Sequence, residues 1–152
     1  MPEDYYDKHF PNLRDLGFKR TSEPAYYNCI AYAAGDTRRR WWPGEYHPDW
    51  SDDYWPDGVP QEETLTAFIL AFATIGYEPC ADGSLEPGFE KVALYAVNSG
   101  IVRHAAKQQE DGAWRSKLGG DEDIEHTLDG LAGPFYGRVV AYLKRPRNPS
   151  PP

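Results

Sequence analysis

Cys29 lies in the stretch AYYNCIAYAAGD (25–36), directly after Asn28 and at the point where a helix should begin. A thiol in the first turn of a helix faces free backbone amides and the positive end of the helix dipole. Both favour the thiolate and lower its pKa. An attacking thiolate also needs a proton acceptor that later serves the leaving group, and histidine is the usual one. Four histidines are available: His9, His47, His104 and His126. His104 stands in the run IVRHAAKQQ (101–109), where alternation predicts that Val102, His104 and Ala106 share one face and Arg103 and Lys107 the other. The expected chemistry is attack by Cys29 on an amide or ester bond with His104 as base. The competing reading is structural: unbonded cysteine is among the most buried residue types, and a strand histidine on an apolar face is commonly a hydrogen-bonded core residue.

These two side chains must be positioned by the elements around them. Asn28 is the expected N-cap of a short helix, CIAYAA, and Gly35 stands where a left-handed C-terminal residue is wanted. A helical turn is predicted near Asn12 to Leu16, with Gly17 as its stop. The clearest helix follows Pro60: Leu65, Phe68, Ile69, Phe72 and Ile75 recur at three- and four-residue steps, with Glu62 and Glu63 in the first turn and Gly76 at the end. The rest reads as strands. EKVALYAV (90–97) is a nearly continuous apolar run suited to a central strand, IVRHAAKQQ is a second and AWRSKL (113–118) a third, with an Asp111-Gly112 hairpin signal between the last two. A short helix is expected from Ile124 to Leu131, then a last strand in PFYGRVVAYLKR. The predicted fold class is α+β, with N-terminal helices packed on a C-terminal antiparallel β-meander. One domain is expected over 1–145, with a disordered Pro-rich tail over 146–152.

A third group to orient His104 depends on register. A two-residue turn at Asp111-Gly112 places Lys117 on the face of His104, whereas a one-residue bulge brings Ser116 there. Asp123 and His126 follow shortly after and are further candidates for orienting His104 or touching substrate. Asn28, Ser116, Lys117, Asp123 and His126 therefore stand as supporting residues. The loop RRRWWPGEYHPDWSDDYWPDG carries Trp41, Trp42, Trp50 and Trp55. These rings either form a substrate groove or cover the helical layer.

The 152 residues carry a formal net charge of −8. That balance excludes a general nucleic-acid binder and adhesion to an anionic membrane, both of which need surplus Lys and Arg. No apolar run has the length of a membrane span. The acidic start MPEDYYDKHF is not a secretory signal, so a cytoplasmic location with free thiols is expected. Cys29, Cys80, His104 and His126 lack the close spacing of a zinc motif, and no phosphate-binding glycine loop is present. No metal or cofactor is expected.

The order of a cysteine at a helix start and a histidine on a later strand, carried by NCIAYA, VALYA and RHAA, resembles the papain-like superfamily and its compact bacterial NlpC-type cell-wall amidases over residues 26–119. The resemblance implies a papain-like layout, Cys29 as nucleophile, His104 as base, and an oxyanion hole from the Cys29 backbone N–H and one more donor. The chain departs from that pattern in having Asn28, Cys29, Ile30 and Ala31 in place of Asp-Cys-Ser-Gly, and in lacking an export signal. The string KVALYAVNSGIVRHAAKQQEDGAWRSKLGG, with DIEHTLDGL and FYGRV, also resembles a group of uncharacterised bacterial proteins, which implies no activity. The resulting expectation is a thiol hydrolase or acyl-transfer enzyme acting on a peptide, protein or small amide or ester. The alternative is a non-enzymatic protein-binding module in which Cys29 is core.

Overall fold

The computed structural model describes residues 9–21, 27–44, 53–118 and 123–147. In chain order the elements are α1 (Pro11–Leu16), β1 (Phe18–Arg20), α2 (Cys29–Ala34), α3 (Leu65–Ala73), β2 (Glu78–Cys80), β3 (Phe89–Ala96), β4 (Val102–Gln108), β5 (Trp114–Lys117), β6 (Asp123–His126), α4 (Leu128–Leu131) and β7 (Arg138–Pro146). All seven strands form one sheet in the order β1-β6-β5-β4-β3-β7-β2, and every pairing is antiparallel.

This corrects the expected fold class. The molecule is a β-rich, seven-stranded antiparallel sheet with a few short helices, not N-terminal helices packed on a C-terminal meander in a papain-like layout. Three segments make the difference. Phe18–Arg20, where no strand was expected, pairs with β6. Asp123–His126 is a strand rather than the start of a helix: it pairs with β5 on one side and β1 on the other, and Thr127 caps α4 only after it. β7 inserts between β3 and β2 rather than closing a meander at the sheet edge.

Other elements stand where the pattern placed them. Asn28 caps α2 by accepting from the Ala31 amide at 3.1 Å, and Gly35 closes it with φ of 86°. α3 is capped by Thr64, so Glu62 and Glu63 precede the first turn rather than lying in it. β3 is buried from Glu90 to Ala96 and lies inside the sheet, between β4 and β7.

Both faces of the sheet are covered, and β3 divides its side chains between them. Val92, Leu94 and Ala96 join Cys29, Ile30, Phe68 and Phe72 in one core, beneath α2 and α3. Ala93 and Tyr95 join Phe10, Leu13, Ile124 and Leu131 in the other, beneath α1 and α4. Two bulges flank Tyr95. In β4, Tyr95 faces His104 while Ala96 faces Val102, so Arg103 is the extra residue. In β7, Leu94 faces Ala141 while Tyr95 faces Val139, so Val140 is the extra residue.

The turn into β7 presses its backbone on β3. A Cβ added to Gly137, where φ is 82°, would lie 2.0 Å from the Ala96 carbonyl oxygen, whereas one added to Gly58, also at φ of 82°, meets nothing within 4 Å. Gly58→Ala should therefore lose about 1 kcal/mol from backbone strain alone. Gly137→Ala should lose about 3 kcal/mol or more, because rigid backbone must also give way. Urea unfolding of the two variants, compared at the midpoint, measures the difference.

Candidate functional site

The thiol is built into a tightly tied helix start. The Asn28 side chain accepts from the backbone N–H groups of Ala31 (3.1 Å) and Trp41 (3.0 Å) and donates to the Trp41 carbonyl at 2.7 Å. Both acceptor sites of its oxygen and one of its two N–H donors thus tie α2 to the following loop. Cys29 is 6% exposed and packs in the core with Val102 and Ala105. Burial pushes its thiol up to about 11, against the lowering effect of the Ala105, Ile30 and Cys29 backbone amides and of Arg40. The helix-start effect expected from the sequence is present in sign, but desolvation outweighs it.

His104 does not meet Cys29. The bulge at Arg103 breaks the alternation, so Val102 points to the Cys29 core while His104 and Ala106 point to the opposite one. There His104 is fully buried, stacked on Tyr136 at 4.0 Å and 10°, with the Tyr95 ring edge-on at 5.4 Å. Neither ring nitrogen has a hydrogen-bond partner among the described residues. Burial first, and His126 second, hold its pKa well below the ordinary histidine value. It is a neutral imidazole in an aromatic stack, not a base aimed at a thiol.

The supporting residues divide in the same way. The β4–β5 connection pairs Gln108 with Trp114 across Gln109–Ala113, one residue longer than the two-residue turn predicts. That shift puts Ser116, not Lys117, on the His104 face. Lys117 and Asp123 are register partners on the α2 side: the Lys117 ammonium lies 5.2 Å from the centre of the Tyr27 ring, and the Tyr27 hydroxyl donates to Asp123 at 3.1 Å. Asp123 therefore does not orient His104.

Ser116 and His126 form a pair that sequence reasoning treated only as separate supports. The Nδ1–H of His126 donates to the Thr127 carbonyl at 2.6 Å, which fixes the tautomer, and Nε2 accepts from the Ser116 hydroxyl at 2.6 Å. This is the wiring of an activated serine. Ser116, however, is fully buried, so the pair acts as a polar tie between β5 and β6. The signal for it was DIEH read with period two. Burial lowers the His126 pKa to about 4, with the Thr127 carbonyl opposing.

Trp41, Trp42 and Trp55 cover the helical layer. Trp41 is 3% exposed, tilts against Phe72 and donates to Asp36 at 3.0 Å. Trp42 and Trp55 stand edge-on to Phe68, and Trp55 donates to the Pro60 carbonyl. Trp50 and His47 lie outside the described residues. His9 packs on Phe135, far in sequence from either candidate.

A broad recess lies elsewhere, on the His104 side of the sheet. It is a groove of about 920 Å³ lined by Phe18, Lys19, Trp114, His126, Arg138 and Tyr142 among others. Apart from His126, none of these six was singled out from sequence. Trp114 is legible in retrospect as the inward residue opposite His126. Among the described residues no group of three or more His, Cys, Asp or Glu is arranged to hold a metal ion, and no helix is long and apolar enough to cross a membrane.

Residues 19–144 match a family described as a domain of unknown function, DUF7689, and the chain belongs to that family. No curated protein and no solved structure matches it.

The buried histidines predict acid sensitivity. Both have native pKa values below the unfolded value of about 6.5, so as the pH drops the unfolded chain takes up protons first. Their contribution is present above that value and is lost as the pH falls toward about 4, where native His126 also protonates. His126 alone should account for about 3 kcal/mol over this window. Guanidinium unfolding at pH 7.5 and 4.5 should show the loss, and His126→Gln should reduce it, leaving the part due to His104.

Proposed function

We propose that this member of the DUF7689 family is a non-enzymatic binding module, in which Cys29 is a core residue and a peptide or protein segment occupies the groove beside Trp114 and Tyr142. The observation that carries the reading is the placement of Cys29 and His104 on opposite faces of the sheet, in separate cores. A thiol hydrolase needs nucleophile and base within hydrogen-bond reach. The thiol is also held protonated near neutral pH, with burial raising it to about 11.

The groove supports the binding half of the reading. Its rings, Phe18, Trp114 and Tyr142, offer flat apolar surface, while Lys19 and Arg138 oppose Glu125 and Asp129 among its lining. Mixed charge around an apolar floor suits a polypeptide better than a polyanion.

Two experiments test the two halves. Iodoacetamide labelling of the native protein at pH 7.5 should modify Cys29 more slowly than Cys80, which is partly exposed. Fast Cys29 labelling with a midpoint below pH 8 would restore the enzyme reading. For the groove, peptides selected from a random display library on the intact protein should lose at least tenfold in affinity with Tyr142→Ala or Arg138→Ala. Selected peptides that ignore both substitutions would place the binding surface elsewhere.

A further inference from the structure

A second, smaller recess lies where the ends of β3 and β4 bring the two cores together. It has a volume of about 300 Å³ and is lined by Asn28, Cys29, Arg40, Trp42, Glu63, Arg103, Phe135 and Tyr136. Three features distinguish it from a packing gap.

The first is the source of Arg103. It is the extra residue of the β4 bulge, and bulges of this kind re-aim a side chain at the cost of a regular ladder. The Arg103 side chain forms no ion pair or hydrogen bond with any described residue. The second is charge. Arg40 also lines the recess and is bound to Asp53 through Nε alone, at 3.1 Å, so its terminal nitrogens remain available. Glu63 is the acidic group in the lining, and it is not within ion-pair distance of either guanidinium. With Asp53 held by Arg40 and Glu63 apart from both guanidiniums, Arg103 brings to the recess a positive charge without a carboxylate partner among the described residues. The third is apolar surface. Phe135 is 37% exposed, and it stacks on Tyr136 at 5.2 Å and 16°. Tyr136 in turn stacks on the buried His104, so the wall is rigid. Cys29, a neutral thiol, adds soft surface without negative charge.

We infer that this recess binds a small carboxylate with a flat apolar body, the carboxylate held by Arg103 with help from Arg40 and the body lying against Phe135, Tyr136 and Trp42. Arginine presents parallel N–H donors that match a carboxylate in a bidentate fork, which a bound sulfhydryl or a ring cannot replace. The volume falls at the small end of the range for ligand pockets, which limits the guest to one ring or a branched chain. The site is separate from the groove and does not depend on what fills it.

Phenylacetate is the probe, with phenylacetamide as the uncharged molecule of the same shape. Titrations of the full chain followed by calorimetry and by the indole N–H resonances should show saturable binding of phenylacetate, with phenylacetamide at least tenfold weaker. Arg103→Met, at an exposed position, should weaken phenylacetate at least tenfold and leave phenylacetamide unchanged. Arg38→Met, at an arginine that is 81% exposed and outside the recess, should leave both unchanged. Equal affinity for the acid and the amide, no binding of phenylacetate, or wild-type affinity in Arg103→Met would each overturn the inference.

Discussion

The two-sided burial of β3 is the constraint on which the rest depends. A strand buried on both faces assigns each successive side chain to one core or the other, and its neighbours inherit that assignment through register. Cys29 belongs with Leu94 and Ala105, and His104 belongs with Tyr95. Their side chains lie on opposite faces of the sheet. The same division separates Lys117 and Asp123 from Ser116 and His126.

Burying a whole strand also obliges the sheet to satisfy charges at its end. Glu90 is 8% exposed and Lys91 2% exposed. Burial would raise the Glu90 carboxyl, but Lys107, Arg145 and Arg147 hold it below its ordinary value. Arg145 also donates to the Ile75 carbonyl beyond the end of α3, so one guanidinium serves both a carboxylate and a helix terminus. Lys91 donates to the Asp82 carbonyl at 3.0 Å and lies 3.6 Å from both the Asp82 and Glu86 carboxylates. These buried ions are paired, as the cost of desolvation requires.

The central elements were legible in the sequence because their signals are local. EKVALYAV announces a strand buried on both sides, and Leu65 to Ile75 announces one apolar helix face. Asn28 and Gly35 bracket α2 by cap chemistry alone. The edges were not legible. Phe18–Arg20 and Asp123–His126 are three and four residues long, and they are strands because Phe18–Arg20 pairs with Asp123–His126, which in turn pairs with β5. The site failed for a related reason. Alternation assigned Val102 and His104 to one face correctly by rule, and one unpaired residue, Arg103, reversed the outcome. A thiol in a first helical turn looked activated, but its pKa depended on burial by residues some seventy positions away, such as Val102 and Ala105.

The position of β7 has a consequence for the order of events in synthesis. β2 ends at Cys80 and pairs within the sheet with β7 alone, which begins at Arg138. As the chain leaves the ribosome, β2 and the free side of β3 must wait, unpaired, for the strand that lies between them. The β3–β4–β5 hairpins can form early, being local. The sheet as a whole cannot close until residue 146 has emerged. Folding is therefore a late event on this chain. During that wait the apolar run of β3 has one uncovered edge, which is the interval in which a chaperone would be most needed.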